Sequence, residues 1–325
     1  MARRLPAEWE PHARLWIGFP HDAEEWPDQL ASAQREIAGF ANAVAASGEA
    51  VILVCRDADN HALARALIEP AVQCQIASYG DIWLRDTGPL VVRTAHGDHR
   101  AQLFRFNGWG GKYPMAGDET VGADLADMAG LPTDRHDWIL EGGAVDVDGH
   151  GLGVTTEQCL LNPNRNPGLS REDIELRLRS ALGIERLLWL GDGLINDHTD
   201  GHVDNLARFV APGVLALPEP SGDNDPNAAV YADARSRAHA FGLETITLPS
   251  PGRVETGGMV QPASHMNFVI GNHAVFVPVY QTDYDVAVVA ALQPLWPGKV
   301  VVPLPASAIL SGGGSLHCAS QPLFA

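Results

Sequence analysis

The sequence predicts an α/β protein assembled from about five repeated units, and three observations carry that reading. Stretches with apolar residues at helical spacing recur along the chain, and most are followed by a short apolar run that reads as a strand. Polar, glycine-rich turn segments come after these units. With Asp86, Glu141, His202, Asn267 and Cys318 as landmarks in those segments, the gaps are 55, 61, 65 and 51 residues. Periods of this size belong to repeat architectures whose loops gather on one face.

In chain order, Asp28 to Ser47 reads as an amphipathic helix, with Leu30, Ile37, Phe40, Ala41 and Val44 on one face and Gly48 at its stop. An apolar strand, Ala50 to Cys55, follows, then a short helix from about Asp59 to Leu67 that ends before Pro70. Glu119 to Met128 places Val121, Leu125 and Met128 at helical spacing. Ser170-Arg171-Glu172-Asp173 resembles a capping box that opens a helix with Ile174, Leu178 and Leu182 inward, leading to a strand from Arg186 to Leu190. Asn227 to Phe241 and then Glu244 to Leu248 repeat the phrase, as do Asp283 to Leu295 and then Lys299 to Leu304. Pro218 to Pro226 reads as a polar surface loop, and the whole of 1–325 is expected to form one domain.

With 325 residues, 46% of them hydrophobic, the chain can bury a substantial core. A formal net charge of −18 argues against nucleic acid or an anionic membrane as partner and suits a cationic small molecule. The opening Met1-Ala2-Arg3-Arg4-Leu5-Pro6 meets Pro, Glu and Trp before an apolar segment can form, so no signal peptide is expected. No apolar run is long enough to span a bilayer. Cys55, Cys74, Cys159 and Cys318 are widely spaced, with no C-x-x-C, which suits a reducing cytoplasm. Cys55 lies in an apolar strand and reads as core; Cys74 and Cys159 carry no flanking signal.

The chemistry concentrates late in the chain. Gly312-Gly313-Gly314 leads through Ser315, Leu316 and His317 into Cys318, and such glycines let backbone and ligand approach closely. A thiol is the side chain best suited to nucleophilic attack near neutral pH. Arg85-Asp86-Thr87-Gly88-Pro89 sets a carboxylate at a tight turn, where a plain turn cap is the bland reading. His202 and Asp204 are two apart, so on a strand they would face one site together. His317 would then face away from Cys318 and pack or hydrogen-bond behind it, leaving His202 as the base. The Asp- and His-rich run Asn196 to Asp204 makes a metal site the rival reading. Against it, the sequence lacks H-E-x-x-H and has no cysteine pair at zinc-ligand spacing. No G-x-G-x-x-G or phosphate-binding loop stands between a strand and a helix, so no nucleotide cofactor is expected.

Taken together, Trp83-Leu84-Arg85-Asp86-Thr87-Gly88-Pro89, Asn107-Gly108-Trp109-Gly110-Gly111, Glu141-Gly142-Gly143, Asp200-Gly201-His202-Val203-Asp204 and the glycines before His317-Cys318 resemble the agmatine deiminase family, which includes bacterial-type peptidylarginine deiminase. Leu5 to Pro11 resembles that family's opening and Leu160 to Pro167 another of its segments. The resemblance implies a pentein-type α/β propeller of about five pseudo-symmetric ββαβ units around a central site. It also implies hydrolysis of a guanidinium to a ureido group and ammonia, with no cofactor and no metal. By position Cys318 is expected to be the nucleophile, His202 the general acid/base, and Asp86 and Asp204 the guanidinium-binding carboxylates. Glu141, Asn267, Trp83, Trp109 and Asp200 are expected at the substrate. Ser315 and Leu316 stand where the family usually has Asn and Ile, and Ser320-Gln321-Pro322 where it commonly has Thr-Gln-Gln. Agmatine is the leading substrate; arginine, peptidyl-arginine or another guanidino compound, a metal-dependent hydrolase and a non-catalytic guanidine binder are the alternatives. A cytoplasmic location and a homo-oligomer complete the expectations.

Overall fold

The computed structural model describes residues 3–325, so Met1 and Ala2 of the leader reading lie outside it. Its sheets repeat one topology. Strand β1 (His12–Gly18) crosses through helix α1 (Leu30–Ala46) to the parallel strand β2 (Val51–Cys55). In the second unit the antiparallel pair β3 (Leu90–Thr94) and β4 (His99–Arg105) leads through α2 (Val121–Met128) to β5 (Thr133–Ile139), parallel to β4. The third has β6 (Asp146–Val147), β7 (Leu152–Thr156), α3 (Arg171–Leu182) and β8 (Arg186–Leu190). The fourth has β9 (Arg208–Ala211), β10 (Val214–Glu219), α4 (Ala228–Phe241) and β11 (Glu244–Pro249). The fifth has β12 (Val269–Ile270), β13 (Ala274–Val279), α5 (Asp285–Leu292) and β14 (Val300–Pro305). Strand β15 (Ser320–Phe324) then pairs antiparallel with β1, giving the first unit its missing hairpin partner from the far end of the chain. The ββαβ repeat is therefore complete five times over.

Local chemistry accounts for the elements. Helix α1 buries Ile37, Phe40, Ala41 and Val44 against the first sheet, and Gly48, at φ 90°, takes the left-handed turn that ends it. Helix α3 opens on the expected box: Ser170 accepts from the Asp173 backbone and Asp173 accepts from that of Ser170, while Gly183 at φ 74° closes the helix. The three core residues expected of it, Ile174, Leu178 and Leu182, are buried. Cys55 lies wholly within the core, as its strand context implied.

Three local expectations need correction. Met128 is 46% exposed, because it closes α2 beyond the turn that packs Val121 and Leu125. The helix read to Leu295 ends at Leu292 and tightens into a 3₁₀ turn over Gln293–Leu295, where Pro294 lacks the N–H that an α-turn needs. Pro218 to Pro226 is not simply a surface loop: Pro218 lies in β10, and Ser221 and Asp225 are buried, with Asp225 accepting from the Ser221 and Asn227 backbones.

What this topology does for function is deliver loops. The segments that follow β5, β8, β11 and β14 carry Glu141, His202, Asn267 and Cys318, and the one after the short strand Gln73–Ile76, an extension of the first sheet, carries Asp86. Each unit contributes one landmark of the sequence.

Candidate active site

Cys318 sits in a turn just ahead of β15, 5% exposed, at a cavity of about 100 Å³. Trp83, Trp109, Tyr113, Thr199 and the backbone of Ser311 to Gly314 wall this cavity, with Asp86 beside the thiol and the half-buried Glu25 toward solvent. The glycines are required here: a Cβ on Gly314 would lie 2.6 Å from the Trp83 ring, and one on Gly312 would lie 2.5 Å from that of Trp26.

The reactive groups converge from three loops. Asp86, on the one-turn helix Leu84–Thr87, accepts from Trp109 Nε1 and from the Gly143 backbone N–H, each at 2.9 Å. Asp204 Oδ2 lies 3.7 Å from Cys318 Sγ and 2.7 Å from His317 Nδ1. His202 Nδ1 stands 3.6 Å from Asp86 Oδ1, and neither imidazole nitrogen has a hydrogen-bond partner among the described residues. A Cβ on Gly143 would meet His202 Nδ1 at 2.6 Å, Asp86 Oδ1 at 2.9 Å and Asp204 Oδ2 at 3.1 Å, so these three side chains share one point of approach.

His202 and Asp204 are not on a strand. They flank and enter the 3₁₀ turn Val203–Asn205, and the turn, not strand alternation, brings them together. His317 likewise lies in a turn, yet it does hydrogen-bond behind the nucleophile, to Asp204 on one side and toward Glu8 Oε2 at 3.3 Å on the other.

Burial dominates the electrostatics of the site. Burial, then the neighbouring Asp204 and Asp86 carboxyls, push the Cys318 thiol well above its ordinary range. Burial, then Asp86, likewise raise Asp204. Burial, with Arg208 and Arg85 nearby, holds His317 far below the usual imidazole range. Two buried carboxyl groups and a thiol, with Arg85 as the nearby cation, form an environment that a further positive ligand would relieve.

The remaining expected residues divide. Trp83 and Trp109 line the cavity. Asn267 lies behind the nucleophile: its Nδ2 donates to Cys318 Sγ at 3.1 Å and its Oδ1 accepts from the backbones of His317 and Cys318. Glu141 stands behind the cavity wall: it is fully buried, its Oε1 is taken by Arg165 Nε at 2.6 Å, and its Oε2 has no partner among the described residues. Asp200 is also set back, its carboxylate held by Arg165, Asn164 and Lys112. One cation accounts for both placements. Arg165, buried in a turn, needs carboxylate partners, and it takes these two. Arg165 lies inside a motif that drew notice only as a resemblance; an arginine among asparagines and prolines was the available signal.

As to metals, Glu141, Cys159 and His202 offer ligand atoms within 4.8 Å of one another. This group includes His202 but none of Asp197, Asp200 or Asp204, so it is not the site that the acidic run suggested.

Residues 4–323 match the family model described as Porphyromonas-type peptidyl-arginine deiminase. The chain is similar to an agmatine deiminase of Stutzerimonas stutzeri, 36% identical with 98% of this chain and 94% of the relative covered. It is 37% identical to an agmatine deiminase of Pseudomonas aeruginosa, with the same coverage. Among solved structures it resembles the agmatine deiminase of Enterococcus faecalis, with a TM-score of 0.94 at 31% identity over 99% of this chain and 96% of that one. It also resembles a substrate-bound agmatine deiminase of C. jejuni, with a TM-score of 0.92 at 27% identity over 99% and 96%. An amidinotransferase of Microseira wollei, TM-score 0.59 at 12% identity over 99% and 97%, shares the fold alone.

Proposed function

Since the chain belongs to the Porphyromonas-type peptidyl-arginine deiminase family, we propose that it is a guanidine deiminase that hydrolyses agmatine to N-carbamoylputrescine and ammonia. The observation that carries this reading is the approach of Cys318 Sγ to Asp204 Oδ2 at 3.7 Å, beside Asp86, at the floor of a tryptophan-walled cavity.

In this reading Asp86 and Asp204 grip the planar guanidinium through charge-assisted hydrogen bonds, which fixes its carbon before the thiol. The bound cation offsets the like charge that holds the thiol protonated, so substrate itself favours thiolate. Cys318 adds to the guanidinium carbon, and His202 protonates the ammonia that departs as the tetrahedral adduct collapses. Water deprotonated by His202 then hydrolyses the amidino-thioether, and thiol and ureido product separate. The ureido group is neutral, loses the charge pairing and leaves. Asn267 acts by positioning the thiol. Trp83 and Trp109 cover the faces of the guanidinium and its alkyl stem. We further read residues 1–325 as one deiminase domain that works in the cytoplasm on a cationic small molecule, without nucleic acid or membrane, and as a homo-oligomer, with a place in putrescine formation.

The test is ammonia release from agmatine by the purified protein in the presence of a chelator, with Cys318→Ala as the blank. Release by the native protein alone is the expected result. Release by Cys318→Ala would overturn the mechanism. Activity abolished by the chelator would favour a metal at Glu141, Cys159 and His202.

A further inference from the structure

Asp86 is held from within at both oxygens: Trp109 Nε1 donates to Oδ2 and the Gly143 backbone N–H to Oδ1, each at 2.9 Å. Two donors on two oxygens fix the plane of the carboxyl group, so the aim of Asp86 depends on where the Trp109 indole stands. The backbone that carries this indole is unusual. Gly108, Trp109, Gly110 and Gly111, in the segment after β4, all have positive φ, at 67°, 51°, 81° and 81°. The Gly111 N–H donates to the Asn107 carbonyl and the Lys112 N–H to that of Gly108, which makes the segment one turn of left-handed helix. Residues with a Cβ seldom take this conformation, and Trp109 is the one residue of the four that has a Cβ.

A backbone that a tryptophan disfavours must be held by its surroundings. The Asn107 side chain holds the start of the turn: its Oδ1 accepts from the Gly110 N–H and its Nδ2 donates to the Asn164 carbonyl, each at 2.9 Å. Asp200 holds the end. Its Oδ1 accepts from Lys112 Nζ at 2.8 Å, and its Oδ2 from Asn164 Nδ2 at 2.9 Å and Arg165 Nη1 at 2.7 Å. One carboxylate thus ties the residue that closes the turn to the segment that anchors its beginning. The packing is close: a Cβ on Gly110 would lie 2.3 Å from Asn164 Nδ2 and 2.6 Å from Arg165 Nη1.

We propose that Asp200 is a positioning residue of the reaction, which latches the left-handed turn Gly108–Gly111 so that Trp109 keeps Asp86 aimed at the guanidinium. Asp200 does not line the cavity. It acts through Lys112, Asn164 and Arg165 on Trp109, and through Trp109 on Asp86. The inference rests on the guanidinium-gripping role proposed for Asp86.

The latch is read first without turnover, by hydrogen exchange at the indole N–H groups of the isotope-labelled, ligand-free protein. The Trp109 signal is identified by its loss in Trp109→Phe. Asp200→Asn keeps a residue type that tolerates the φ of 64° at this position. It is expected to speed exchange at Trp109 by about 10-fold or more, the loss of one charge-assisted hydrogen bond. Trp189, whose indole donates to Glu175 at 2.8 Å, should exchange as before. Lys112→Met should speed Trp109 exchange by up to about fivefold, and Lys112→Arg should restore the native rate.

The second arm is agmatine turnover. Trp109→Phe keeps an aromatic face but removes the N–H, and should lower kcat/KM by about 100-fold. Asp200→Asn alone should lower it by about 10-fold, yet by less than about twofold once Trp109 is Phe, because the latch then has nothing to aim. Additive losses overturn the proposal. So does Trp109 exchange that stays native in Asp200→Asn, or that rises equally at Trp189. Lys112→Met alters an exposed end of the latch and carries both arms if Asp200→Asn fails to fold. Native protein that releases no ammonia from any guanidine marks failure of the functional reading instead, and the exchange arm still decides the latch.

Discussion

Asn267 holds Cys318 from two sides at once: its Nδ2 donates to the thiol sulfur at 3.1 Å, and its Oδ1 accepts from the Cys318 backbone N–H at 3.3 Å. The amide thus sets both the place of the sulfur and part of its charge preference. In Asn267→Asp the backbone acceptor survives while the donor to sulfur becomes a further carboxylate, so the thiolate is disfavoured. Alkylation of Cys318 by iodoacetamide is expected to need higher pH than in the native protein. An unchanged pH dependence would remove Asn267 from this role.

Gly143 is a further position where the site tolerates no side chain. A methyl group there would press on His202, Asp86 and Asp204 together. Gly143→Ala is expected to fold, because Gly143 does not have positive φ, and to lose roughly 100-fold or more in kcat/KM, the effect of a displacement near 1 Å. Near-normal kinetics would mean the three side chains do not need their present spacing.

Asp204→Asn separates binding from stability. The amide has the shape of the carboxyl, and burial already disfavours the charged form of Asp204, so the thermal midpoint should barely move. Affinity for a guanidinium ligand should fall by roughly 10- to 100-fold, the loss of one charged hydrogen bond of about 1.5–3 kcal/mol. Calorimetric titration in a Cys318→Ala background measures this. Comparable affinity for agmatine and its neutral ureido analogue in the unmutated site would contradict the carboxylate grip.

Asp118 gives a pH signature of folding. It is buried, its Oδ1 accepts from the Gly80 and Asp81 backbones, and burial raises its carboxyl from 3.8 to about 6. A folded-state value above the unfolded one means that the folded protein holds the proton more tightly. The associated stability is full below 3.8 and lost as pH rises through about 6. Asp118→Asn keeps an acceptor for both backbones and removes the titration, so its unfolding midpoint should fall less between pH 4 and 7 than that of the native protein. Parallel curves would refute the assignment.

Arg165 is buried between Glu141 and Asp200 and also donates to the Thr199 carbonyl. Arg165→Met strands Glu141 without its cation, and breaking a buried pair in this way costs about 3–5 kcal/mol. A denaturant midpoint close to native would show that Glu141 is satisfied otherwise.

Much of this was legible in the chain because helices announce themselves locally. Ile37, Phe40 and Val44 repeat at helical spacing, and Ser170 with Asp173 marks a start. The hairpin strands of each unit were harder to see. Asp146–Val147 and Val269–Ile270 are two residues long, too short for any alternation, and exist because a partner strand is adjacent. The reactive residues were legible by type and position, but not their partners. Nothing within a few residues of Glu141 reveals that Arg165 will claim it, and Glu8 meets Arg208 across 200 positions of chain. His202 and Asp204 were joined through the wrong local geometry, since two residues on a tight turn can converge as well as two on a strand.

Ring closure by β15 has a further consequence, in time instead of space. The pairing of Ser320 with Ile17 joins residues 303 positions apart, and Cys318 lies two positions before it. Contacts that distant form slowly, because much of the chain must already be ordered before the closing pair repays its entropy. After dilution from denaturant, helix signal should therefore return well ahead of reactivity at Cys318. Partly folded molecules would also display β1 as an open edge, a template for another chain's closing strand. The nucleophile thus reports completion of the ring: a molecule competent to react is one whose two ends have already met.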